Sequence, residues 1–136
     1  MMAHVLDAFA LTAYFEKEPG YEQVQELLTA AASADRKLYL STVNWGEVHY
    51  VTHRNYGLEQ ANKIAHIIGS FPIEIVAVDL EVAKQAALFK VAHHLSYADC
   101  FAAGLAKVKK STLVTGDKEF KSLEGEIVLL HLMLDR

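Results

Sequence analysis

Short apolar runs alternate with segments of helical period along the whole of this chain. The runs lie at residues 3–6, 38–40, 73–78, 112–115 and 127–130, the third being the richest in β-branched residues. Between them apolar residues recur every three or four positions. Tyr21, Val24, Leu27, Leu28 and Ala31 mark one helix, and Leu58, Ala61, Ile64, Ala65, Ile68 and Phe71 another, broken by Pro72. Further helices are expected over 8–16 and 44–56, from Leu80 to His93, and from Ala98 to Lys110. The 8–16 helix is closed by the Glu18-Pro19-Gly20 turn, the 44–56 helix by Gly57 as a left-handed stop. Strands alternating with amphipathic helices make a mostly parallel sheet covered on both faces. Right-handed crossovers then bring the carboxyl ends of the strands to one edge, where open α/β sheets build their sites.

Four acids fall at that edge: Asp7 in VLDAFAL, Glu47 in STVNWGEV, Asp99 in LSYADCFAAGLA and Asp117 in LVTGDKEF. Each has a local explanation. Asp7 and Asp117 stand where a helix cap belongs, and Asn44 to Glu47 and Ser96 to Asp99 both have capping-box spacing. Together they raise an electrostatic problem. Two unit charges 4 Å apart repel by about 4 kcal/mol at an effective dielectric near 20, and a cap contributes only about 1 kcal/mol. Either some of the carboxyls are protonated at neutral pH, or a cation lies between them. Oxygen-only ligands suit Mg²⁺ or Mn²⁺ rather than zinc.

The same four segments, in order and spacing, resemble the acidic motifs of the PIN-domain nucleases. The chain is also similar in length to the VapC-type toxins of toxin–antitoxin pairs. The opening VLDAFALTAYFEKEPG resembles the family's first strand, acid and helix, NWGEV its second motif, SYADCFAAGLA its third and LVTGDKEF its fourth. A small hydroxyl residue often follows the first acid in that family; here it is Ala8. The resemblance implies a three-layer α/β/α sandwich with a short, mostly parallel central sheet. It implies Mg²⁺- or Mn²⁺-dependent endoribonuclease cleavage, with Asp7, Asp99 and Asp117 binding metal directly or through water. Glu47 would complete that set or orient the attacking water. It also implies an RNA substrate, an antitoxin partner and a homodimer. Thr115 and Lys118 are candidates to position substrate, and Lys107, Lys109, Lys110 and Lys121 for phosphate contacts. Cations at a helix end account for Lys107 to Lys110 without any ligand.

Composition bounds the rest. One domain over 1–136 is expected, with 52% apolar and 22% charged residues, as in globular chains. A single cysteine, Cys100, excludes an internal disulfide, and the N-terminus has no signal-peptide pattern, so a cytoplasmic location is expected. No apolar run approaches the roughly 20 residues that span a bilayer. The net charge of −4 is uneven: acids dominate the first 47 residues and lysines the stretch 84–121, so it excludes no polyanionic partner. His49 and His53 have metal-ligand spacing, but Glu47 lies on nearly the opposite face of their helix. Neither His93-His94 nor Cys100 has a visible site around it. Tyr14, Phe15, Tyr21, Trp45, Tyr50 and Tyr56 are expected mostly in the core, with any exposed members suited to a partner helix. The competing reading is a PIN-like binding or scaffold module with weak catalysis. A phosphoryl-accepting receiver or an aspartate-nucleophile phosphatase fits less well, since neither a second adjacent acid nor Asp-x-Asp is present.

Overall fold

A computed structural model describes residues 3–133; positions 1–2 and 134–136 of the domain expected over 1–136 lie outside the described residues. Strands β1 (His4–Leu6), β2 (Leu38–Ser41), β3 (Ile73–Val76), β4 (Thr112–Thr115) and β5 (Leu129–His131) form one sheet in the order β3-β2-β1-β4-β5. Every neighbouring pair in it is parallel. The helices are α1 (Ala8–Glu16), α2 (Tyr21–Ser33), α3 (Thr42–Tyr56), α4 (Leu58–Ser70), α5 (Leu80–Ala92) and α6 (Tyr97–Val108), with a 3₁₀ helix at Lys118–Leu123.

The strands read as apolar runs because both faces of the sheet are covered. Leu6, Leu38, Leu40 and Val114 pack with Leu11, Val24, Leu28, Ile64 and Ile68 of α1, α2 and α4. Val5 and Leu113, on the opposite face, pack with Ala86 and Phe89 of α5, Phe101 and Leu105 of α6, and Phe120 and Leu123 of the 3₁₀ helix. These are the three layers of an α/β/α sandwich. Each fully buried side chain of this size stabilises the fold by about 1.5–3 kcal/mol. Among the described residues no helix is long and apolar enough to cross a membrane.

Helices α5 and α6 touch backbone to backbone. A Cβ on Gly104 would lie 3.1 Å from both the Ala86 nitrogen and the Val82 oxygen, neither of which a rotamer change can move. Gly104→Ala is therefore expected to cost about 1–3 kcal/mol through overpacking, read as a lower urea midpoint. An unchanged midpoint would mean that the two helices can part freely.

Most boundaries lie within one or two residues of those expected, and three of the differences have a visible cause. Helix α3 starts at Thr42, capped by Ser41, whose Oγ accepts from the Asn44 N–H at 3.0 Å. Asn44 is thus inside the helix and is not its cap. Strand β3 ends at Val76, because Val78 turns to donate its N–H to Thr42 Oγ1 at 3.3 Å. Strand β5 starts at Leu129, Ile127 being drawn into the core beneath α6. Gly57 ends α3 as expected, but at φ 94° and ψ 163°, a glycine region other than the left-handed helix, and it also begins α4.

Candidate active site

Connections leave β1 toward β2 on one side, while β4 returns on the other. The crevice between β1 and β4 is the switch point at which open α/β sheets bind ligands. Asp7 leaves β1 into this crevice, its N–H donating to the Val114 carbonyl at 3.3 Å. Its Oδ1 accepts from the Ala10 N–H at 2.8 Å, so it does cap α1. Only 1% of Asp7 is exposed. Burial raises its carboxyl to about 7, against the opposing hydrogen bonds of Thr115 and Ala10, with the charges of Asp99 and Glu47 adding to the rise.

Thr115, fully buried at the end of β4, joins two of the acids. It hydrogen-bonds the Asp7 carboxyl, and its Oγ1 accepts from the Asp117 N–H at 3.0 Å. Asp117 in turn caps the 3₁₀ helix, its Oδ1 accepting from the Glu119 N–H at 2.9 Å. Thr115 therefore orders the acids, with its hydroxyl turned toward them and away from the open cleft. Lys118 is exposed at the first position of the 3₁₀ helix and is not on the cleft wall.

Glu47 and Asp99 arrive from α3 and α6. Glu47 is in the second turn of α3, where burial raises its carboxyl and a hydrogen bond from Asn44 opposes the rise. Its Oε1 is buried without a hydrogen-bond partner. Asp99 sits in the first turn of α6, behind the cap Ser96, whose Oγ accepts from its N–H at 3.2 Å. Burial brings Asp99 up to about 6, the hydrogen bond from Ser96 opposes, and the charges of Asp117, Glu47 and Glu119 add to it. Asn44 Nδ2 donates to the Ala98 carbonyl at 3.1 Å and so fixes α3 against the start of α6. This brace escaped the sequence reading, since its partner is 54 residues away.

Glu47, Asp99 and Asp117 line a cleft of about 370 Å³ with Asp7 beneath it. Glu16, Glu18 and Phe9 also stand on its wall, and the sequence reading had assigned them nothing. The acids feel one another's charge without converging. No three His, Cys, Asp or Glu side chains among the described residues are gathered as the ligands of one ion. Capping accounts for Asp7 and Asp117, and leaves Glu47 and Asp99 unexplained.

A family profile described as PIN domain matches residues 4–126. The chain belongs to the PIN domain family. Among its relatives, ribonuclease VapC30 of Mycobacterium tuberculosis and a VapC ribonuclease of Mycobacterium bovis are each 28% identical over 133 residues, covering 93% of this chain and 98% of theirs. Solved structures share its fold. The VapBC2 complex of Rickettsia felis, bound to a DNA fragment from its promoter, superposes with a TM-score of 0.75 at 20% identity, covering 97% of this chain and 100% of the other. VapC20 of Mycobacterium tuberculosis, described as a sarcin–ricin loop cleaving toxin, does so at 0.70 and 18%, covering 93% and 97%.

In this PIN domain the lysines of α6 lie far from the acids. About 15 Å of helix separates Asp99 from Lys109, at 1.5 Å per residue. Lys109 instead lies 5.2 Å from the centre of the Tyr39 ring, and Lys107 Nζ donates to the Glu126 carbonyl at 3.2 Å. His49 stacks on Trp45 with ring centres 5.0 Å apart, away from the cleft. Of the aromatic side chains, Tyr14, Phe15 and Trp45 pack against the core, whereas Tyr50 and Tyr56 are exposed. Phe15, Val48, Val51, Tyr56 and Ile64 line a second cleft of about 530 Å³ between α1, α3 and α4, and the Tyr56 hydroxyl donates to Glu16 at its rim.

Proposed function

We propose that this PIN domain is an endoribonuclease that cuts RNA phosphodiester bonds with Mg²⁺ or Mn²⁺ held by Asp7, Glu47, Asp99 and Asp117, and that it is the toxin of a toxin–antitoxin pair. One observation carries the reading: Glu47 of α3, Asp99 of α6 and Asp117 after β4 line one cleft at the switch point, with Asp7 buried beneath it. The donor set fits a hard divalent cation. All its atoms are oxygens, three of the carboxyls are raised by burial, and Glu47 Oε1 has no hydrogen-bond partner. Such an ion supplies positive charge where negative charge develops on the phosphate oxygens. The chain does the rest. Ala10 and Thr115 fix Asp7, Thr115 fixes the Asp117 backbone, and Asn44 braces Glu47, whose place on the cleft wall would let it complete the metal's ligands or orient the attacking water.

The toxin reading draws support from the VapC ribonucleases and VapBC complexes to which the chain is similar. The second cleft, where Phe15, Val48, Val51, Tyr56 and Ile64 alternate with polar side chains along three helices, suits an amphipathic antitoxin helix presenting side chains at i, i+3, i+4 and i+7. A homodimer in the cytoplasm belongs to the same reading. A weakly catalytic binding module is the second reading, favoured by the acids' failure to converge.

Incubation of purified protein with mixed RNAs, in Mn²⁺, Mg²⁺ or EDTA and beside Asp99→Asn, separates the two. Cutting that needs a metal and falls at least about a hundredfold in Asp99→Asn is the expected result, since a charge-stabilising group contributes several kcal/mol to the transition state. No cutting with either metal favours the binding module.

A further inference from the structure

We propose that the exposed ring of Phe9 is the platform on which an unpaired base beside the scissile phosphate stacks. The inference rests on the nuclease reading above and adds how the RNA strand is held. Phe9 is the second residue of α1, two positions after Asp7, and lines the acid cleft. Its neighbours Ala8, Ala10 and Leu11 are buried, yet Phe9 is 40% exposed and belongs to neither core cluster.

Three other aromatic side chains are as open, and each has a partner. Arg54 lies 5.5 Å from the centre of the Tyr50 ring, Tyr56 donates to Glu16, and the Tyr97 ring centre is 4.7 Å from that of Phe101. Phe9 makes no aromatic or cation pairing among the described residues. One edge of its ring rests on Gly116, where a Cβ would come within 2.2 Å of Cε1. The ring is thus wedged between the turn that carries Asp7 and the turn that carries Asp117, supported on one side and open on the other.

Apart from the proposed metal ion, the electrostatics of the cleft do not favour RNA, and stacking is a means of holding it that needs no charge. Among the described residues its lining has no Lys, Arg or His, and Glu16 and Glu18 add negative charge to that of the site acids. A phosphate entering it meets no Lys, Arg or His on the wall among the described residues. Stacking needs no charge, tolerates any base, and requires the base to be free of its helix. The fitting substrate is therefore a single strand or loop.

Cleavage kinetics on a single-stranded RNA, intact or abasic at the nucleotide beside the cut, test this for wild type, Phe9→Ala and Phe9→Trp. Phe9→Ala is expected to raise KM on the order of tenfold with kcat nearly unchanged, and Phe9→Trp to restore it. The abasic RNA should cost the wild type a similar factor and Phe9→Ala nothing further. Losses that multiply, or a KM that does not move in Phe9→Ala, overturn the proposal. A second arm uses 2-aminopurine at the same position and Asp99→Asn protein, which leaves the RNA intact. Quenching on binding that disappears when Phe9→Ala is added supports stacking, and unchanged quenching refutes it. Absence of cleavage by the wild type would overturn the nuclease reading, while the fluorescence arm would still decide whether Phe9 stacks.

Discussion

Asp7→Asn is expected to stabilise the metal-free protein above neutral pH while removing RNA cleavage. The Asp7 carboxyl is raised in the folded chain from 3.8 to about 7. Between those values the folded chain holds a proton that the unfolded chain has released, so folding takes up a proton. Stability therefore falls as pH rises from about 4 to about 7 and stays low above that. The full interval corresponds to an upper limit of about 4 kcal/mol. Asparagine has no charge to bury and keeps an oxygen for the Ala10 N–H, so the helix cap survives. Urea unfolding in EDTA should give nearly equal midpoints for the two proteins near pH 4 and a clear advantage for Asp7→Asn at pH 8. Parallel curves would show that Asp7 ionises without penalty. On the proposed mechanism the same variant should lose about a thousandfold or more in cleavage. A stabilising change that destroys activity marks a residue kept for its chemistry.

Phe120→Ala should have the largest effect on folding. Phe120 is 0% exposed beneath the sheet and anchors the 3₁₀ helix that Asp117 caps. Truncation removes most of a buried ring and leaves a cavity between β4 and α6, at about 3–5 kcal/mol. That is a large part of the 5–15 kcal/mol holding a typical domain together. Phe120→Leu, close in volume, should cost less than about 1.5 kcal/mol. Denaturant midpoints for both variants check this. A loss under about 1 kcal/mol for the alanine would mean that the segment is held by its backbone hydrogen bonds alone. The ring also holds the turn after Asp117, so Phe120→Ala should weaken cleavage even where the protein remains folded.

The period of the sequence was enough to locate all five strands and six helices, because both faces of the sheet are buried and the helices are amphipathic or apolar. What it could not reveal depends on partners distant in the chain. Asn44 reads as a cap from its neighbours, yet its amide is directed at Ala98, and the true cap is Ser41. Ile127 reads as strand and is captured by the core under α6. Asp7, Asp99 and Asp117 were legible as neighbours of one edge, being tied to strand ends and a helix start, whereas Glu47 falls in the second turn of α3 because Ser41 caps that helix. Glu16 and Glu18, at the far end of α1, join the cleft only through the way α1 lies across the sheet edge. Phe9 left one visible trace, a bulky aromatic two positions after a strand-end acid. The lysines at the end of α6, near Asp99 in sequence, are a helix length away in space, so they are not placed to meet a phosphate at the acids.

The strand order also has a consequence for synthesis. The two central strands, β1 and β4, come from opposite ends of the chain, and Asp7 depends on Val114 for its backbone partner and on Thr115 for its side chain. A nascent or truncated polypeptide that stops short of β4 lacks one of the two neighbours of its first strand and the fourth acid. On the proposed nuclease reading, a chain still being made is inactive until Asp117 has been added, because no shorter fragment holds all four acids.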